Sequence, residues 1–253
     1  MIVQRIGVSV SMLLRMMFRR RIIPILLLAI PAAFLLAVYW TTSERIMPFR
    51  LASVAEEVFL EASERNISLL FLAVASVGFL SSFLALNLIQ REAAASHRLV
   101  LCGYHPLALL VSKLAVLAGC TALIALYVSV ALLLFFTPEH LFLMMLGLFL
   151  AGLVYGSYGL LVGSLIRGEL EGILFIVLLA NIDAGWLQNP LFYAEAENQF
   201  IIRLLPAYFP SQAAIASAFS DHSIGSSVLA STLYALGFLA AAGVLYFIKM
   251  RKK

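Results

Sequence analysis

Long apolar runs recur along this chain at about 22–40, 68–89, 107–136, 141–166, 172–188 and 226–248. A helix rises about 1.5 Å per residue, so about 20 apolar residues cross a bilayer's hydrocarbon core. Six runs meet or approach that length in a chain of 253 residues, of which 12% are charged. Backbone polar groups in lipid must be satisfied internally, and helices do this within each segment. The expectation is an all-α polytopic membrane protein: six transmembrane helices in a single domain over 1–253. The first run follows a basic stretch, as a signal peptide would. Its length and the lack of a small-x-small site before Tyr39-Trp40 favour a retained first span.

Charge orients the spans. Six crossings put both termini on one side, together with Arg5, Arg15, Arg19, Arg20, Arg21, Arg91, Arg98, Lys113, Arg167, Lys249, Arg251, Lys252 and Lys253. The other side holds Arg45, Arg50, Arg65 and Arg203 and most of the acids, including Glu56, Glu57, Glu195 and Glu197. Lys and Arg stay cytoplasmic, which predicts cytoplasmic termini in the inner membrane. The pI near 9.2 then reflects topology and contact with membrane lipids rather than nucleic-acid binding.

Between the spans, four segments are patterned. Residues 2–18 carry Val3, Ile6, Val10, Leu13, Leu14 and Met17 at helical spacing, with Arg5, Ser9, Arg15 and Arg19 opposite. This predicts an amphipathic elbow over 1–21 lying in the interface, bent near Pro24; the alternative is an extension of the first span that packs on its neighbours. In the loop 41–67, Leu51, Val54, Val58 and Ala62 fit one helical face, with Glu56, Glu57, Glu61 and Glu64 mostly elsewhere. Such a helix serves as a solvated face or as a recruiter of substrate. Gly152, Gly156, Gly159 and Gly163 form G-x-x-x-G steps, which let another helix come close, in this subunit or a second. After the fifth run, Pro190, Pro206 and Pro210 break a region too apolar for a free loop. An external re-entrant segment over 189–225, two short helices split near 206–210, satisfies that backbone. Trp186, Tyr193 and Tyr208 suit interfacial anchors, and Pro206, Tyr208 and Phe209 suit an outer gate.

Chemistry-bearing motifs are scarce. His97, His105, His140 and His222 show no metal-ligand spacing, and no G-x-S-x-G string occurs. Cys102 and Cys120 fall in a cytoplasmic loop and inside a span, which argues against a structural disulfide. The expectation is therefore no enzyme, no catalytic residue and no metal. The polar residues Asn87, Asn181 and Asp183 are candidates for a translocation pathway, since ionisable groups at depth face a cavity or a partner. The competing reading ends the fifth span near Ala180, with Asp183 opening the re-entrant element.

The most informative cytoplasmic stretch runs from Gln90-Arg91-Glu92 through His97, Arg98 and Leu99-Val100-Leu101 to Gly103-Tyr104-His105-Pro106, with Lys113 beyond. A charged pair leads a helix-prone run, and a Gly/Pro break precedes the next span. With the amphipathic start, the six runs and Leu205-Pro206-Ala207-Tyr208 before the last run, this order resembles the permease subunit of an ABC-2-type (type V) ABC exporter. The family's usual Gly-Thr pair after the leading Glu is here Ala94, Ala95 and Ser96, which leaves the subfamily open.

The resemblance implies a coupling helix over 91–105 that contacts a separate nucleotide-binding ATPase subunit through Arg91, Glu92, Arg98, Leu99, Gly103 and Tyr104. A second contact would come from Arg167 and Glu169. It implies a second permease copy or a paralogue, and ATP and Mg in the partner subunit. No G-x-x-x-x-G-K-[ST] loop or other cofactor motif occurs in this chain. Apolar spans with few charges favour a hydrophobic cargo, whether drug, lipid or peptide. An ion-coupled secondary transporter and a membrane anchor of a cytoplasmic ATPase are the alternative readings.

Overall fold

The computed structural model describes residues 2–19, 22–51, 59–166, 168–190 and 199–251. Helix α1 (Ile2–Arg19) is strongly amphipathic. Its stripe of Val10, Leu13, Leu14 and Met17 joins a cluster with Leu110, Leu117 and Cys120, while Arg15 and Arg19 stay exposed. The expected amphipathic helix is present, and this stripe packs on the protein while Val8, Met12 and Phe18 stay exposed. Residues 20 and 21, between Arg19 and the next helix, lie outside the described residues. Pro24, where the bend was expected, lies within α2 (Ile22–Thr41). Pro31 sits inside α2, a helix-breaking position tolerated where neighbours supply hydrogen bonds. One does so nearby: the Tyr127 hydroxyl donates to the Leu28 carbonyl at 3.1 Å.

The next segment departs from expectation. Residues 46–50 and 59–63 form antiparallel strands β1 (Ile46–Arg50) and β2 (Phe59–Ser63), pairing Phe49 with Leu60 and Ile46 with Ser63. The helical face that Leu51 and Ala62 were expected to share is therefore absent; Val54, Val58, Glu56 and Glu57 lie outside the described residues. Burial decides the difference. Phe49 and Leu51 are buried two apart while Phe59 and Glu61 are exposed two apart, a strand period rather than a helical one. Pro48 fits because an edge strand does not need every N–H. Phe49 meets Phe219 edge-on at 5.8 Å, and Phe219 also stacks on Phe136 at 5.6 Å. Arg65 closes the base of the ribbon, pairing with Glu44 at 2.5 Å and lying 4.7 Å over the Tyr39 ring.

Helix α3 (Glu64–Gln90) is the hub, with 78% of its most apolar window buried. The nine-residue α4 (Ala93–Leu101) follows, then α5 (Pro106–Leu132) and α6 (Leu141–Leu165). Helix α7 (Glu169–Ile182) runs on into a π turn (Asp183–Leu187). After it come α8 (Gln199–Arg203), α9 (Tyr208–Phe219) and α10 (Gly225–Arg251). Five of the described helices, α2, α3, α5, α6 and α10, are long and apolar enough to cross a bilayer. The fifth apolar run yields α7, 14 residues long, so a sixth crossing depends on the π turn that extends it.

The α6 glycines point inward. A Cβ on Gly156 would stand 3.1 Å from Leu117, and one on Gly163 would stand 3.2 Å from Ile89. At Gly152 it would collide with Thr121 on α5, and at Gly159 with the backbone of Ser82 on α3. The small-residue stripe serves packing inside this subunit. Lipid tails are as apolar as a helix face, so close backbone approach and buried polar contacts hold such helices together. Here Thr121 donates to Ser81 at 3.2 Å. Gly147 does the same for α9, where a Cβ would lie 2.6 Å from the Ala214 nitrogen. Helix α9 is accordingly buried almost throughout. The expected split of the 189–225 region falls at 204–207, with Pro210 inside the first turn of α9 rather than in the break.

Gly159→Ala should lower thermal stability in detergent by about 1–3 kcal/mol, the usual cost of overpacking. Gly119→Ala, where a Cβ meets nothing within 4 Å, should be neutral or slightly stabilising. Melting curves of the two purified variants check the pair.

Candidate functional site

Three groups of polar side chains stand out. On one face of the bundle, α4 hangs between the C-terminus of α3 and the N-terminus of α5, and local sequence builds both of its ends. Gly103 has φ of +87°, the left-handed conformation that ends helices. The Gly103 N–H donates to the Val100 carbonyl and the Tyr104 N–H to the Leu99 carbonyl, each at 3.0 Å, a Schellman closure. His105 then caps α5, its Nδ1 accepting from the Leu107 N–H at 3.3 Å, and Pro106 opens the helix where its ring is pre-set. One short string thus ends a helix, turns the chain and starts the next.

At the other end, the Arg91 guanidinium donates through Nε and Nη2 to one Glu169 oxygen, at 2.8 and 2.6 Å. Gln90 donates beside it to the carbonyls of Ile166 and Gly168, at 3.1 and 3.3 Å. The loops after α3 and α6 are therefore tied together, and the two expected contact segments form one surface. Glu92 faces inward and shares a small cavity with Leu99 and Lys113. Burial pushes its carboxyl above the usual carboxylate range, and the Lys113 ammonium opposes that shift. Lys113 is itself buried, its Nζ donating to the Leu88 carbonyl at 2.7 Å and lying 5.6 Å from the Tyr246 ring centre. Arg98, Leu101 and Cys102 face outward, and Leu101 is 74% exposed. Arg167 lies outside the described residues.

The second group surrounds Asp183, which is fully buried. Its carboxylate accepts from the Tyr155 hydroxyl at 2.5 Å, the Ala207 N–H at 2.8 Å and Gln188 Nε2 at 3.0 Å. Gln188 Nε2 also reaches the Ile202 carbonyl at 3.3 Å. One carboxylate thus joins α6, the π turn and the 204–207 link between α8 and α9. The α-helix passes into the π turn at Asp183, and the side chain is a tie between elements. Asn181 is exposed and donates within its own helix, to the Val177 carbonyl at 2.9 Å. Asn87 is exposed one turn from the end of α3, beside Arg91. The three candidate pathway residues are not brought together.

The third group is aromatic. Rings pass contact from Tyr155 through Tyr158, Phe238, Tyr234 and Phe209 to Tyr208, with centroids 5.0–6.5 Å apart. The Tyr234 hydroxyl donates to the Leu204 carbonyl at 3.0 Å. Pro206, Tyr208 and Phe209 therefore sit where the aromatic path and the Asp183 tie meet. Tyr155, Gln188 and Tyr234 are absent from the sequence reading, because single tyrosines in apolar runs look like interfacial anchors.

Several apolar crossings, a tied polar surface with its own short helix and a buried polar knot midway along α6 define a multi-pass helical membrane protein. The model of the ABC-2 family transporter proteins matches residues 41–249. The chain belongs to that family, as a membrane component of an ABC transporter, and the family as a whole works with an ABC ATPase subunit. The comparison with curated proteins gives no match.

Asp183→Ala leaves three donors without an acceptor in a buried site. It should destabilise the protein by about 3–5 kcal/mol, whereas Tyr155→Phe, which removes one donor, should cost about 1–2 kcal/mol. Detergent melting curves rank the two. Equal, small losses would remove the tie from this account.

Proposed function

We propose that this chain is the permease subunit of an ATP-driven ABC exporter, with α4 as the helix that receives force from a separate ATPase subunit. The observation that carries this reading is the mounting of α4. It is closed at one end by the Gly103 turn and braced at the other by the Arg91–Glu169 pair, with Arg98, Leu101 and Cys102 turned outward. A large apolar side chain 74% exposed beside charged ones is what a protein partner covers. A rigid element fixed to two long helices passes on displacement instead of absorbing it.

In this reading the chain catalyses nothing itself, and ATP and Mg belong to the partner. The fifth crossing is α7 with its π turn, which together run from Glu169 to Leu187 and span about 28 Å. With six crossings, both termini and α4 lie in the cytoplasm of a cell whose inner membrane holds the protein, in accord with the distribution of Lys and Arg. Helix α1 then lies along the cytoplasmic interface, and the α8–α9 segment dips into the outer leaflet and carries the outer gate at Pro206, Tyr208 and Phe209. Helices α2 and α10, each with only 17% of its apolar window buried, line the pathway against a second permease, a copy or a paralogue. Such apolar faces suit a hydrophobic cargo. ATP-driven closure shifts the permease only as far as the two states differ in free energy for the partner.

Affinity purification from native membranes in mild detergent should retain a stoichiometric polypeptide that carries a phosphate-binding loop. A preparation without any ATPase would contradict the proposal. In the reconstituted complex, Glu92→Ala and Gly103→Val should leave ATP hydrolysis intact and lower export of a fluorescent hydrophobic probe about five- to tenfold, within the range of ordinary coupling energies. Unchanged export in both variants would remove α4 from the coupling role.

A further inference from the structure

A groove of about 750 Å³ opens between the end of α1, the first half of α2 and the second half of α3. Its two ends differ in chemistry. At one end stand Arg19, Asn87 and Arg91; at the other, Ile30, Phe79 and Phe83. Helical rise sets the separation: Phe79 to Asn87 is about 12 Å along α3. One leaflet of hydrocarbon is about 15 Å deep, half of a bilayer core. A slot with a polar mouth and an apolar body of that depth fits an amphiphile lying parallel to the helices, headgroup at the mouth.

The charge at the mouth selects among headgroups. Arg19 is exposed and has no ion-pair partner among the described residues. The Asn87 carboxamide is exposed and makes no hydrogen bond among the described residues, so its N–H groups are available at the mouth. Arg91 gives one edge to Glu169 and brings a second guanidinium to the mouth. Glu92 is the acid at the mouth, and the Lys113 ammonium stands against it. What remains is one cation without an ion-pair partner among the described residues and one available amide donor. A phosphodiester satisfies both, accepting from the guanidinium and from the carboxamide N–H, and its net negative charge answers Arg19.

We propose that this groove binds one phospholipid with an acidic headgroup, its phosphate held by Arg19 and Asn87 and an acyl chain running past Phe83 and Phe79 towards Ile30. The lipid would fill the space between α1, α2 and α3. This inference rests on the groove alone and holds whatever the protein exports.

The test reads lipid at the apolar end directly. The native indoles are removed by Trp40→Phe and Trp186→Phe, a single new one is introduced by Phe83→Trp, and the full chain is reconstituted in phosphatidylcholine vesicles. Brominated phosphatidylglycerol is titrated against brominated phosphatidylcholine as quencher. The expected result is quenching of the introduced indole that saturates at about fivefold lower mole fraction for the acidic lipid, the factor one basic side chain contributes at a membrane surface. Adding Arg19→Gln should abolish that preference and leave quenching by the neutral lipid unchanged. Should the triple variant fail to fold, native mass spectrometry of the unaltered protein and of Arg19→Gln, both from vesicles of the two lipids, reads the same preference as retained adducts. Equal quenching by both lipids, or equal adducts, overturns the acidic headgroup. No quenching by either lipid shows the groove covered by protein, such as a second copy, and overturns the site.

Discussion

Inside a bilayer, two helices gain nothing by hiding apolar surface from one another, because the lipid around them is equally apolar. What holds this protein together is therefore the close approach of α6 to α3, α5 and α9 at positions where a side chain is missing. Gly159 sits against the Ser82 backbone and Gly147 against Ala214. Contact at that range multiplies dispersion over many atoms and brings polar groups such as Ser81 and Thr121 into hydrogen-bond reach. The two polar clusters, one beside α4 and one around Tyr155 midway along α6, depend on this registration. Arg91 meets Glu169, and Tyr155 meets Asp183, because α3, α6 and α7 are fixed side by side.

The consequence is a bundle with a dense middle and loosely held flanks. Helix α3 is buried along most of its length, while α2 and α10 leave about half of their residues exposed within the single chain. Those flanks are where the fold leaves room for lipid, cargo or a second permease. The surface around α4 contrasts with them, since its position is set by hydrogen bonds and an ion pair rather than by apolar packing. A helix held in that way can be pushed without being unfolded, which suits the coupling role proposed for it.

Much of this is legible in the sequence, for reasons that differ by element. Helix α1 declares itself through the alternation of Val10, Leu13 and Met17 with arginines, and α4 through the Arg-Glu start and the Gly103–Pro106 break, because local chemistry decides both. Strands β1 and β2 read as helix from sequence, since Leu51 and Ala62 fit a helical period only when the whole stretch 46–63 is counted as one element. The partners of Asp183 are invisible for another reason: Tyr155, Gln188 and the Ala207 N–H converge through tertiary packing, and no spacing in the chain marks them. Hydropathy likewise shows a fifth apolar run without showing that its last turn widens into a π helix at Asp183.

The central claim is that α4 touches an ATPase, and the chain carries its own probe for it. Cys102 is exposed at the end of α4 and Cys120 is buried, so a thiol-directed photocrosslinker labels the first selectively in intact complexes. After illumination of native membranes, mass spectrometry of the adduct should identify a polypeptide with a phosphate-binding loop, joined at Cys102. An adduct that contains only lipid or a second copy of this chain would place α4 elsewhere and contradict the account.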